Sequence, residues 1–78
     1  MRKPNAARVE LYDRSWLLQA RAAAQLRQED IASACGISVG TYCKIEKGVS
    51  IPNVRIAIQI ADVLGTDVRN FLTERRIA

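Results

Sequence analysis

The stretch QEDIASACGISVGTYCKIEKG, residues 28–48, reads as two short helices on either side of a glycine. Glu29 and Asp30 place acids where a helix N-terminus favours them, and Gly36 follows Cys35 as a left-handed terminator, so the first helix runs from Gln28 to Cys35. One residue past Ile37, the Ser38 hydroxyl is suited to cap a second helix, Val39 to Lys47. Lys44 and Lys47 favour the C-terminal end of that helix, and Gly48 closes it. Seen end on, Ile31, Ala32, Cys35, Ile37, Tyr42 and Ile45 fall on the inward faces, with Ala32 small enough to let the two backbones come close.

Working outward, three further helices are expected and no strand pattern emerges. Asp13 can cap a helix over 13–24 in which Trp16, Leu17, Ala20, Ala23 and Ala24 recur at three- and four-residue intervals. Pro52 and Asn53 open another that runs to Leu64 and stops at Gly65, and Asp67 can cap a fifth containing Val68, Phe71 and Leu72. Residues 1–11 carry Arg2, Lys3 and Arg8 against Glu10 and read as a basic N-terminal arm. The domain proper spans 12–73, and 74–78 is a short tail. The fold class is all-α, with five short helices.

Composition removes many functions. The 78 residues contain no histidine, the commonest general base and metal ligand, so enzyme chemistry is not expected and no cofactor or metal is implied. Cys35 and Cys43 lack metal-ligand spacing; Cys35 reads as a buried hydrophobe, and Cys43 as a thiol on an exposed face. No run approaches the 18 or so apolar residues of a membrane helix, and the N-terminus lacks the apolar segment of a signal peptide, so a cytoplasmic protein is expected. A net charge of +4 favours a polyanionic partner.

A helix, a glycine turn and a short, lightly basic helix form the layout in which the second helix enters the major groove of DNA. The residues sharpen this: Arg21; Arg27-Gln28-Glu29-Asp30-Ile31-Ala32; Cys35-Gly36-Ile37-Ser38; Tyr42-Cys43-Lys44-Ile45-Glu46-Lys47-Gly48; Pro52; and Ile60-Ala61-Asp62-Val63-Leu64-Gly65. Over residues 13–72 the chain resembles the Cro/C1-type (XRE-like) helix-turn-helix family of phage and bacterial repressors. The resemblance implies a lambda-repressor-like, five-helix DNA-binding domain whose partner is double-stranded DNA.

By that family's layout Ser38, Val39, Gly40, Thr41 and Lys44 face the bases. None is the Gln, Asn or Arg that makes bidentate contacts; Lys44 suits guanine, Thr41 several edges, and Val39 a thymine methyl group. Gly40 inside a helix costs about 1 kcal/mol relative to Ala, either an untended loss or the mark of a close approach. Arg21 and Glu46 resemble the family's structural ion pair. Gln28, at a helix N-terminus, resembles its phosphate clamp, with Arg27, Lys47 and Asn53 as further phosphate contacts.

On the fourth helix Val54, Ala57, Ile58, Ala61 and Leu64 form a stripe expected to face the core, and Ile56, Ile60 and Val63 a second one expected to cover a twofold homodimer. The reading is therefore a sequence-specific transcriptional regulator, a repressor on a palindromic operator, phage-encoded or bacterial, with no membrane and no small-molecule ligand. The alternative is a protein-interaction module, an antitoxin or adaptor whose recognition helix reads DNA weakly, as Val39-Gly40 would allow.

Overall fold

The computed structural model describes residues 10–77, so Arg2, Lys3 and Arg8 of the expected arm lie outside the described residues. Five helices follow in order: α1 (Ser15–Ala24), α2 (Gln28–Cys35), α3 (Val39–Lys47), α4 (Val54–Leu64) and α5 (Asn70–Thr73). The chain is all-α. Local chemistry sets most boundaries. Ser38 Oγ accepts the Thr41 N–H at 3.1 Å to start α3, and Asn53 Oδ1 accepts the Ile56 N–H at 2.9 Å to start α4. Gly36, Gly48 and Gly65 end α2, α3 and α4 in the left-handed conformation, and Gln25 takes the same role after α1 with φ 59°.

Two starts differ from expectation. Asp13 accepts the Ser15 N–H at 3.0 Å and the Ser15 hydroxyl at 2.7 Å, which makes it a turn residue ahead of a helix that begins two residues later than the expected 13. Asp67 does the same for Arg69 at 2.9 Å, and the last helix shrinks to the four residues Asn70–Thr73.

Leu17, Ile31, Ala32, Cys35, Tyr42, Ile45 and Ile60 form one buried cluster, with Trp16, Leu26, Ile37, Ile56, Leu64 and Phe71 packed against it. α2 packs on α3 and α4, and α1 reaches α4. Trp16 meets Phe71 edge to face at 4.8 Å, which seats the short α5 on the start of α1. Along α1 only the Trp16–Leu17–Ala20 side is covered, while Ala23 and Ala24 are exposed beyond the reach of α4.

The reading of α4 needs correction. Ile60 is fully buried in this chain's own core, and Ala57 and Ala61 are buried beside it. Ile56 and Leu64 pack against that side while staying partly exposed, so Ile60 is not available as a dimer contact, while Val63 stays on the surface. Conversely Val54 is 75% exposed and Ile58 is exposed as well. Both stripes have helical spacing and similar hydrophobicity; what selects one is the position of α1 and α2, which periodicity in α4 does not encode.

The ends of the domain are tied together. Tyr12 and Arg76 form an antiparallel bridge, with the Asp13 N–H donating to the Arg75 carbonyl and the Ile77 N–H to the Leu11 carbonyl, each at 2.7 Å. Residues 74–77, expected as a tail, therefore belong to the folded unit. Arg14, only 3% exposed, explains why: its Nε donates to the Glu74 carboxylate at 2.7 Å, and its Nη1 donates to the carbonyls of both Ile45 and Ser50. The Phe71 ring lies 5.1 Å from the guanidinium, and Trp16 Nε1 donates to the same carboxylate at 2.8 Å.

Candidate nucleic-acid interface

α3 has two unlike faces. Tyr42, Ile45 and Glu46 point into the protein, whereas Ser38, Val39, Gly40, Thr41, Lys44 and Lys47 are exposed. The residues expected to meet bases thus form one continuous outward surface. Cys43, expected exposed, is half-buried at its edge, and Cys35 is buried, where desolvation pushes its thiol above the ordinary range.

The posture of α3 is fixed from behind by Glu46, whose side chain is 4% exposed. Its carboxylate accepts from Arg21 Nε at 2.6 Å and Arg21 Nη2 at 3.1 Å on α1, from Gln28 Nε2 at 2.7 Å on α2, and from the Tyr42 hydroxyl at 2.9 Å on α3 itself. Arg21 also donates to the Leu26 carbonyl at 3.1 Å, tying in the turn before α2. Burial pushes the Glu46 pKa up, but the donors from Arg21, Gln28 and Tyr42 outweigh it and hold the carboxyl below its usual value. Burial, reinforced by the hydrogen bond to Glu46, keeps the Tyr42 phenol protonated far into the alkaline range. Arg21 and Glu46 therefore meet as the resemblance implied, and Gln28 joins them, which the sequence alone did not indicate.

The far end of α3 is held by a second device. Arg14 donates to the Ile45 carbonyl, and the Tyr12 N–H donates to the Gly48 carbonyl at 3.0 Å. Gly48 has φ +86°, and a Cβ placed there would stand 2.1 Å from the Tyr12 carbonyl oxygen. Only glycine fits, because the strap of residues 12–14 crosses directly over the turn.

Around α3, Lys44, Lys47 and Arg55 have no ion-pair partner among the described residues, while Arg14, Arg21, Arg27, Arg69 and Arg76 all face carboxylates. The uncompensated charge of the helical region therefore gathers on α3 and the first turn of α4. Arg27 is exposed and pairs with Glu29 at 3.5 Å and Asp30 at 3.8 Å, contacts weak enough to be exchanged for a phosphate. Having no acceptor, its side chain cannot cap α2; instead the Asp30 carboxylate accepts the Arg27 N–H at 2.8 Å. Asn53 caps α4 with its oxygen and leaves its NH2 outward. An open cleft of about 530 Å³ separates the end of α2 from the start of α4, and Gly36, Asn53, Arg55 and Gln59 line it.

Sequence reading overlooked three residues. Arg55 lies next to the α4 cap, where no motif marks it. Arg14 and Glu74 sit 60 positions apart, and only the path of the chain shows that they meet.

No helix among the described residues is long and apolar enough to cross a membrane. Comparison with curated proteins and with solved structures finds no match. The sequence model of the helix-turn-helix family matches residues 17–71, from the first core leucine of α1 to the phenylalanine of α5. That span includes α2, α3 and α4 together with Arg21, Gln28, Tyr42 and Glu46, and the chain belongs to the Cro/C1-type helix-turn-helix family of DNA-binding transcription regulators.

Proposed function

We propose that the protein is a sequence-specific repressor that lays the outward face of α3 in the major groove of a palindromic operator, as a twofold dimer. The observation that carries this reading is the division of α3: a bare face with unpaired Lys44 and Lys47 outside, and a fully hydrogen-bonded Glu46 anchor inside. An anchor of this kind holds a probe at a fixed angle, which is what reading base edges requires. Arg27, the second amide proton of Gln28, Lys47, Asn53 and Arg55 supply the phosphate contacts.

The dimer surface is the face of α4 and α5 that stays uncovered. Ile51, Val54, Ile58 and Leu72 are exposed around an apolar depression of about 210 Å³ floored by Ala57 and Phe71. A contiguous patch of this kind on so small a chain fits burial against a second copy, which would place two α3 helices about 34 Å apart on one side of the duplex. With +4 on each chain the dimer carries +8 and its affinity falls steeply with salt.

Selection of duplexes from a random pool, followed by salt-titrated binding, tests the reading. Enrichment of inverted-repeat half-sites one DNA turn apart is expected; a protein that retains no duplex at low salt would overturn it. Because the contact face is short of bidentate side chains, scrambling the uncontacted centre of the site is expected to weaken binding as much as changing its ends.

A further inference from the structure

We propose that α3 selects keto base edges, a guanine opposite Lys44 beside a thymine whose C5-methyl group meets Val39; the inference rests on the duplex-binding reading above. The starting point is how the two hydroxyls on this face spend their hydrogen bonds. Ser38 Oγ donates its only proton to Thr41 Oγ1 at 2.9 Å and accepts the Thr41 N–H at 3.1 Å. The pair is thereby locked as the helix cap, and the proton it still has to offer is that of Thr41.

Lys44 adds an ammonium with donors and no acceptor, and it has no ion-pair partner among the described residues. Gln28, on α2, is turned toward Glu46 by its 2.7 Å amide bond and not toward the outward face of α3. No carboxylate stands on the outward face, since Glu46 is turned inward. The surface is therefore donor-rich and poor in acceptors. An adenine N6 or cytosine N4 amino group pressed against it would find only the single remaining lone pair on each hydroxyl and would face the Lys44 ammonium, whereas guanine O6 and N7 and thymine O4 would each meet a donor.

Two further features distinguish thymine from other acceptors. Val39 is 44% exposed at the head of the helix, an apolar group with no neighbour over it, matching the methyl group that thymine alone among the four bases projects into the major groove. Beside it, a Cβ added to Gly40 would meet nothing closer than Ser38 Oγ at 4.0 Å, so packing within the chain does not require glycine there. The missing side chain leaves an open floor through which a base edge can approach the first turn of α3.

Base analogues separate these contacts in the duplex enriched from a random pool. Replacing thymine by 2′-deoxyuridine removes only the methyl group, and replacing guanine by 7-deazaguanine removes only the N7 acceptor. For the wild-type protein, loss of the methyl group is expected to weaken binding about fourfold per half-site, the value of one buried carbon group. Val39→Ala should bind the two duplexes equally, and Lys44→Met should be indifferent to 7-deazaguanine while wild type is not. Circular-dichroism melting confirms that both exposed-site variants are folded. An enriched duplex to which wild type is indifferent with either analogue, or half-sites with adenine or cytosine rather than guanine and thymine at the positions nearest Lys44 and Val39, would overturn this inference alone. A pool with no enriched sequence would instead overturn the duplex-binding reading on which it stands.

Discussion

At Gly48 the backbone dihedral and the neighbouring chain make one demand twice: φ is +86° and the Tyr12 carbonyl oxygen fills the space where a side chain would begin. Gly36 shares the left-handed conformation at φ +69° but has nothing within 4 Å. Alanine at Gly36 is therefore expected to cost about 1–2 kcal/mol, the conformational penalty alone. Gly48→Ala must add displacement of the 12–14 strap, and the bridge to Arg76 with it. Urea denaturation of the two variants should show a clearly larger loss for Gly48→Ala; equal losses would mean the strap moves aside freely.

The helices of this domain are short, and clasps between elements hold them in place. Arg14 and Glu74 form such a clasp, with side-chain exposures of 1% and 3%, joining the segments before α1 and after α5 to the α3 terminus. Removing the carboxylate leaves a buried guanidinium without its counter-charge, and a penalty of about 3–5 kcal/mol is expected for Glu74→Ala. For a domain of this size that is a large part of the total stability. Amide hydrogen exchange should show faster exchange at Tyr12 and Ile77 and around Gly48. Unchanged protection at Gly48 would show that α3 is held by Glu46 alone. A corresponding change on the other side, Glu46→Ala, strands Arg21 and is expected to lower stability far more than it alters the sequence preferred from a random pool.

For the whole molecule, pH dependence follows from the same network. Glu46 has a folded-state pKa below its ordinary value of 4.5, so its contribution is complete above that value and is lost as pH falls through the lower folded value. Tyr42 has a raised pKa, so its contribution is complete below its ordinary value of 10.0 and is lost as pH rises beyond it. Cys35, raised by burial above its ordinary 9.0, begins to cost stability earlier still, so stability should form a plateau between about pH 5 and 9. Glu46→Gln should flatten the acid limb, and Tyr42→Phe the alkaline limb, of a melting-temperature profile. Assembly is decided at the same scale: Ile58→Asp places a charge in the exposed α4 patch without touching the core, and is expected to convert a dimer into a folded monomer by sedimentation, with weaker operator binding. A wild-type protein that sediments as a monomer at high concentration would contradict the dimer.

Much of this was legible along the chain because it is local. A serine or asparagine ahead of a helix, a glycine behind it and a 3.6-residue apolar repeat act within a turn or two, so α2, α3 and their caps follow from the order of residues, whereas the outward placement of Ser38 to Thr41 was implied by the family resemblance. The inward placement of Tyr42 and Ile45 was equally plain. What spacing could not rank were equivalent faces and distant partners. Ile60 and Ile58 are alike in hydrophobicity and both lie on helical stripes; only the arrival of α1 and α2 on one side of α4 buries the first and leaves the second in water. Arg14 and Glu74, ordinary charged residues near the two ends of the folded unit, become a buried pair because the chain closes on itself, and Gln28 turns toward Glu46 because α2 and α3 cross there. Short-range hydrogen bonding and periodicity specify the elements; the choice among their faces depends on area removed from water, which exists only once the helices have met.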